Sequence, residues 1–234
     1  MSTYVVVTGT DTGVGKTVAT AALAVHHRAA GLRVAVVKPV QTGLRPGDTE
    51  AGDAAVAARL SGCDDVYELV RLPEPLAPDT AARREGRALP TVIELAELVA
   101  ERTGGADVVL VEGAGGVRVR LDTCGGTLLD LARALQWHGD VRVVVVARAA
   151  LGTLNHTELT VDAVRDAGLD VEGLVIGSWP RTPDLAERCN REELPRVTGC
   201  RTLAALPAGC GTWHPDRFRA GVDDWLRVEP TCCR

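Results

Sequence analysis

Short apolar runs alternate with longer stretches of helical periodicity along the chain. Residues 4–8 form a β-branched run. After a glycine-rich turn, residues 17–30 have the spacing of a helix that stops at Gly31, a residue suited to the left-handed position past a helix end. A second buried strand is expected at 34–38 and an alanine-rich helix at 53–60. A longer helix follows at 91–103, between Pro90 and the pair Gly104-Gly105. The apolar strand 108–112 closes on a carboxylate, residues 113–116 read as a flexible stretch, and 128–135 as helix. Further strands are expected at 141–147, 171–177 and 202–206, with helices at 155–167 and 184–194 between them. Runs apolar on both faces, such as 143–146, belong in the middle of a parallel sheet. Strands alternating with helices make right-handed βαβ crossovers. The expected fold is therefore α/β, a single doubly wound domain over residues 1–234 with a central, mainly parallel sheet.

The strongest chemical signal lies between the first strand and the first helix, in Gly9-Thr10-Asp11-Thr12-Gly13-Val14-Gly15-Lys16-Thr17. That context is the one a phosphate-binding loop requires. Its glycines let the backbone wrap the phosphates, and the free N–H groups form an anion nest at a helix N-terminus. Lys16 would reach the β- and γ-phosphates, and the Thr17 hydroxyl would ligate Mg²⁺. The usual spacing puts a glycine five residues before Gly15, where Thr10 stands. Gly9 lies one place earlier, so the loop is a variant of the P-loop NTPase type.

Three further residues sit where ligands gather, beyond the C-terminal ends of strands. Lys38 ends the second strand, ahead of Pro39-Val40-Gln41-Thr42-Gly43, and is either a charge aimed at the phosphates or a solvated strand end. Glu112 ends the third expected strand. It is a second Mg²⁺ ligand or a carboxylate capping the Gly113-Ala114-Gly115-Gly116 loop. Asp53 opens a helix and reads as a metal ligand or as an ordinary N-cap. His156 follows the long valine strand as a general base or, more simply, as a helix-start residue making a structural hydrogen bond. No nucleophile elbow or Cys-His pattern supports a hydrolase triad.

Composition narrows the classes. The 26 basic and 31 acidic residues leave a net charge of −5, and aromatics make up 3% of the chain. Neither a basic patch nor a stacking platform for nucleic acid is expected. The longest apolar run is far below the roughly 20 residues that cross a bilayer, and residues 1–10 lack the pattern of a secretory signal. Seven cysteines without a CxxC pair read as reduced thiols of a cytoplasmic protein, the vicinal Cys232-Cys233 as incidental.

Together these segments resemble the dethiobiotin synthetase family. The match rests on the P-loop, on Lys38-Pro39-Val40-Gln41-Thr42-Gly43, on Val111-Glu112-Gly113-Ala114-Gly115-Gly116 and on Leu151-Gly152-Thr153-Leu154-Asn155-His156, which occur in the family's order. The resemblance implies a homodimer that carboxylates 7,8-diaminononanoate with CO₂ (or bicarbonate) and closes the ureido ring at the expense of ATP. Lys16 and Lys38 would be the catalytic cations, and Thr17, Asp53 and Glu112 the Mg²⁺ ligands. The nucleotide would lie on Gly13, Val14, Gly15, Lys16, Thr17, Val18, Asp53, Glu112, Gly113, Ala114 and Gly115, with Gly177, Ser178, Leu206, Pro207 and Ala208 towards the base. Thr42 would contact the carbamate or diamine, and Leu151, Thr153 and Asn155 would reach the diamine's carboxylate across the dimer interface.

Two positions depart from the family's pattern. Gly177-Ser178-Trp179-Pro180 stands where family members often place an adenine-reading asparagine, so other nucleoside triphosphates are expected to serve alongside ATP. Ala149-Ala150 stands where a glycine is expected before Leu151. Two other classes share the fold. A cobyrinate or cobyrate amidotransferase would add a C-terminal glutaminase domain, for which 234 residues leave no room. A partitioning-type switch ATPase would carry a lysine early in the P-loop, where Thr10-Asp11 stands.

Overall fold

The computed structural model describes residues 2–45 and 47–226; the vicinal Cys232-Cys233 lies outside them. Seven strands and eight helices follow one another as β1 (Ser2–Gly9), α1 (Lys16–Ala29), β2 (Val34–Thr42), α2 (Asp53–Ser61), β3 (Val66–Leu72), α3 (Pro78–Glu85), α4 (Val92–Arg102), β4 (Val108–Glu112), α5 (Leu128–Leu135), β5 (Gly139–Ala147), α6 (Thr153–Asp166), β6 (Asp170–Trp179), α7 (Leu185–Thr198), β7 (Thr202–Pro207) and α8 (Pro215–Trp225). The strands form one sheet in the order β3-β2-β4-β1-β5-β6-β7, and every pairing between them is parallel.

The alternating valines explain why both faces are covered. Along β1, Tyr4 and Val6 join the core under α4, α5 and α6, whereas Val5 and Val7 join the core under α1, α2 and α8. In β5, Val143 and Val145 point to the first layer, Val144 and Val146 to the second. Successive side chains of a strand face opposite sides, so a continuous valine run needs apolar partners above and below.

Three elements escaped the sequence pattern: β3, α3 and α8. Strand β3 lies at the sheet edge, where Glu68 and Arg71 interrupt the apolar run and pair with each other. Helices α3 and α8 are rich in charged residues and bury only Pro78, Ala81 and Ala82, and Phe218 and Val222, respectively. Glu112 accordingly ends the fourth strand in chain order, not the third. Strand β6 continues to Trp179 and α6 begins at Thr153, so Gly177 is a strand residue and Asn155 lies inside the first turn of its helix. No helix among the described residues is long and apolar enough to cross a membrane. The described cysteines, Cys63, Cys124, Cys189, Cys200 and Cys210, are free thiols.

Candidate active site

Strand β1 lies between β4 and β5, at the point where successive connections turn to opposite edges of the sheet. A crevice opens there beyond the strand ends, and the P-loop fills it. The Thr10 N–H donates to the Val146 carbonyl at 3.0 Å, tying the loop to β5. Gly15 has φ of 99°, and a Cβ on it would lie 2.6 Å from the Gly177 carbonyl oxygen. In return, a Cβ on Gly177 would lie 2.0 Å from the Val14 carbonyl oxygen. The P-loop backbone is seated directly on the end of β6, and only glycine on both sides allows it.

Lys16, at the start of α1, is buried and donates from Nζ to the Asp11 carbonyl at 2.9 Å. Burial, then repulsion from Lys38, holds its pKa below the usual lysine value. The Asp11 carboxylate accepts the Thr12 N–H at 2.7 Å and pairs with Arg148 at 2.5 Å. No sequence motif pointed to Arg148; its place at the end of β5, beside the P-loop, was the available signal.

Pairing of β2 with β4 sets Val37 opposite Val111, which brings the next residues of each strand, Lys38 and Glu112, side by side. Alternation turns both towards the layer that holds Val36 and Leu110, under α1. There, Lys38 Nζ lies 2.9 Å from Glu112 Oε1, 2.6 Å from Asp53 Oδ2 and 2.9 Å from the Gly113 carbonyl oxygen. The Thr17 hydroxyl donates to Glu112 Oε1 at 2.8 Å. Lys38 and Glu112 are 3% and 2% exposed, while Asp53 reaches solvent.

Burial opposes the Lys38 charge, but the carboxylates of Glu112 and Asp53 outweigh it and raise its pKa. Asp53 is held below the usual carboxylate range: burial works against its charge, and Lys38 prevails. Glu112 is pushed up by burial, against the pull of Lys38, with Asp53 repelling its charge.

The predicted metal residues are thus together. Thr17, Asp53 and Glu112 offer one hydroxyl and two carboxylates, a hard-oxygen set of the kind Mg²⁺ shares with waters and substrate phosphates. No cluster of three or more His, Cys, Asp or Glu side chains suited to a metal exists among the described residues. Asp53 is not the cap of α2: Gly52 holds that position.

Beside this cluster lies a pocket of about 570 Å³, lined among others by Thr12, Lys38, Gln41, Thr42, Asp53 and Leu76. Its Pro75–Pro78 wall went unread in the sequence, although three prolines within six residues, Pro73, Pro75 and Pro78, mark a built loop. The stretch 113–116, expected to be flexible, is pinned. The Gly113 N–H donates to the Val7 carbonyl, its own carbonyl accepts Lys38, and a Cβ on it would lie 2.4 Å from Leu128.

Other candidates stand apart. Leu151, Thr153 and Asn155 do not line this pocket. Leu151 is 82% exposed and Asn155 is exposed, whereas the Thr153 side chain is buried, 3.3 Å from the Thr157 hydroxyl. His156 is exposed, and its ring has no hydrogen-bond partner among the described residues. Towards the β6–β7 edge, Leu206 is a core residue, Ser178 is exposed, and the Ala208 N–H donates to the Trp179 carbonyl at 2.8 Å. Pro207 pairs with Trp179. Val18 packs closely against Gly211 in the turn after β7.

Residues 3–209 match a family profile described as AAA domain. The chain is 56% identical over 221 residues to the ATP-dependent dethiobiotin synthetase BioD of Rhodococcus jostii (strain RHA1), across 94% of this chain and 93% of that one. It is 55% identical over 223 residues to the protein of the same name from Streptomyces avermitilis, across 94% and 90%. Among solved structures it is similar to the septum site-determining protein MinD complexed with Mg-ADP from Pyrococcus horikoshii OT3, at 19% identity and TM-score 0.51, across 88% and 81%. It is also similar to a nucleotide-binding protein in complex with ADP from Archaeoglobus fulgidus, at 17% identity and TM-score 0.53, across 92% and 86%. These two structural likenesses concern the fold alone, an α/β parallel sheet. Identity at more than half of the aligned positions, over nearly the whole of both chains, decides the family: the chain belongs to the dethiobiotin synthetases.

Proposed function

We propose that this enzyme, a ligase of the dethiobiotin synthetases, closes the ureido ring of dethiobiotin from 7,8-diaminononanoate, CO₂ and ATP on the Lys16–Lys38 side of its P-loop. The observation that carries this reading is the Lys38 cluster. A buried ammonium held by Glu112, Asp53 and the Gly113 carbonyl sits between the phosphate loop and a pocket lined by Thr42.

The proposed chemistry needs no protein nucleophile. One amine of the diamine adds to CO₂ and loses a proton, giving a carbamate. A carbamate oxygen attacks the γ-phosphorus as the bond to ADP breaks, and the second amine attacks the carbonyl carbon as phosphate leaves. Charge spreads over the transferring phosphoryl oxygens, so the enzyme's task is to place fixed positive groups around them. Lys16 would exchange the Asp11 carbonyl for a phosphate oxygen, and the P-loop N–H groups would hold the β-phosphate. Lys38 would face the carbamate and γ-phosphate, kept protonated by its two carboxylates. Mg²⁺, when bound at Thr17, Asp53 and Glu112, would supply further positive charge to the β- and γ-phosphates. Thr42 would orient the carbamate or diamine.

Leu151, exposed in the turn before α6, and Asn155, exposed in its first turn, would complete the diamine site from a second copy of the chain, making a cytoplasmic homodimer with shared sites. The Thr153 side chain is buried, so only its backbone would take part. The deciding experiment follows ADP and dethiobiotin together, with diamine, bicarbonate and Mg²⁺ supplied or withheld. Equal formation of both products, absent without the diamine, is expected; ATP hydrolysis indifferent to the diamine refutes the proposal.

A further inference from the structure

We infer that Gln41 is a positioning residue: its buried side-chain amide, reaching from β2 to the N-terminus of α2, sets where Asp53 stands and thereby how tightly the metal–nucleotide complex is held. The inference rests on Asp53 being a metal ligand, as proposed above.

The first N–H groups of any helix lack partners within it. At α2 the capping position is Gly52, which offers no side chain. The Asp53 N–H instead donates to Gln41 Oε1 at 2.9 Å, so the cap is supplied from a neighbouring strand. Gln41 Nε2 donates to the Thr42 carbonyl, also at 2.9 Å. The acceptor end of the amide meets an N–H and the donor end meets a carbonyl; a flipped amide would set like against like at both contacts. Gln41 is 7% exposed, which leaves little water to substitute for either bond.

Gly52 makes room for this arrangement. A Cβ there would lie 3.0 Å from Leu44 Cδ1, 3.1 Å from Glu68 Oε2 and 3.4 Å from Gln41 Oε1. Between Gly43 and Gly52 the chain has few other anchors: Leu44 is buried, while Arg45 and residues 47–51 are exposed. Asp53 is therefore held by its carboxylate on Lys38 at 2.6 Å, by its N–H on Gln41 and by the packing of α2, which buries Ala54, Ala57 and Leu60. Gln41 also lines the pocket beside Lys38. Its Oε1 and one Nε2 hydrogen are already committed to backbone groups, which favours a support for Asp53 over a direct contact to substrate.

Groups that orient a metal ligand typically change metal affinity about 10–100-fold when removed. The test is Gln41→Met, which keeps the length and removes both polar atoms, read by electron paramagnetic resonance titration of Mn²⁺ into the enzyme–ADP complex. A loss of about tenfold in Mn²⁺ affinity is expected, with a raised Mg²⁺ requirement in turnover and an unchanged KM for the diamine. In an Asp53→Asn background, Gln41→Met should cost no further Mn²⁺ affinity, because the two act through one contact. Gln41→Asn keeps a buried amide but is one methylene too short for both partners; it should show the same loss and serves if the Met variant does not fold. Parental Mn²⁺ affinity in the Gln41 variants, with a clear loss in Asp53→Asn, overturns the inference and leaves Asp53 as a metal ligand. Parental affinity in Asp53→Asn itself overturns the ligand reading and the inference together. A raised diamine KM with unchanged metal affinity makes Gln41 a substrate contact and overturns it as well.

Discussion

Replacing Lys38 with methionine removes a charge that two carboxylates share, and the geometry around it sets the size of the effect. Lys38 Nζ is the cation within 3 Å of both Glu112 and Asp53. Removing one partner of a buried ion pair typically costs about 3–5 kcal/mol, because the other charge remains without compensation. At about 2–4 °C per kcal/mol for a chain of this size, Tm should fall by roughly 6–20 °C in the absence of metal. Asp53 reaches solvent and can hydrate, which puts the expected loss towards the lower end. The sign of the pH dependence is fixed too. Burial and the Asp53 charge already hold Glu112 above its ordinary pKa against the pull of Lys38, and removing Lys38 leaves them unopposed. A carboxylate with a raised folded pKa destabilises the fold as pH rises, so Lys38→Met should regain stability as pH is lowered towards 5. Mg²⁺ with ADP should restore part of the lost Tm at pH 7.5, since it brings positive charge back to the same oxygens. Turnover should fall about 10²–10³-fold, the usual effect of deleting one preorganised group at developing negative charge. Melting curves with and without Mg·ADP at two pH values, alongside the ADP-release assay, measure all of this. A variant with parental Tm in the absence of metal refutes the shared-charge argument, and near-normal turnover removes Lys38 from the chemistry.

Other substitutions probe other parts of the site. Gly177→Ala would put a Cβ 2.0 Å from the Val14 carbonyl oxygen; relief of such a clash costs about 1–3 kcal/mol, so ATP should bind about tenfold or more weakly by calorimetry. An unchanged Kd would show that the P-loop can retreat from β6 without consequence. His27 is buried in α1, and burial, then His26 and Arg142, push its pKa down to about 4 from 6.5. Its folded value lies below the unfolded one, so stability should be full above pH 6.5 and fall by about 3 kcal/mol as pH drops towards 4. Urea unfolding of the parent and of His27→Leu between pH 7.5 and 4.5 should diverge by about 2.5 kcal/mol, and parallel profiles would contradict the assignment. Finally, Gly177 carries no side chain, and the Ser178 hydroxyl is the one polar side-chain group of Gly177-Ser178-Trp179 placed at the solvent. Discrimination among ATP, CTP, GTP and UTP should therefore stay within about 1–3 kcal/mol; a thousandfold preference for ATP in Kd would place an adenine reader elsewhere in the chain.

The features legible in the sequence are those whose physics is local. A phosphate loop works through consecutive backbone N–H groups, so Gly13-Val14-Gly15-Lys16-Thr17 is one contiguous word, set between β1 and α1. Buried strands such as β5 are legible because both faces demand apolar side chains, and α4 because Pro90 and Gly104-Gly105 punctuate its two ends. Strand β3 was lost because an edge strand has only one face to bury, and α3 and α8 because charged helices with two or three core contacts carry little periodic signal. Meaning that depends on distance in space was decided by the tertiary structure alone. Lys38, Asp53 and Glu112 each carried an ordinary reading beside the functional one, as a solvated strand end, a helix N-cap and a capping carboxylate. The sheet order β2-β4-β1 and the pairing of Val37 with Val111 bring 38 and 112, 74 positions apart, onto one face at 2.9 Å. Burial there makes each charge depend on the others. Gly177 read from the sequence as a missing base reader; that the fold presses it against Val14 so closely that no side chain fits came from the structure alone. Gln41 carried no motif at all, since capping a helix from a neighbouring strand leaves no spacing rule to read. A sequence records which groups a chain can offer; which of them share one low-dielectric space is set by the register of strands that only folding brings together.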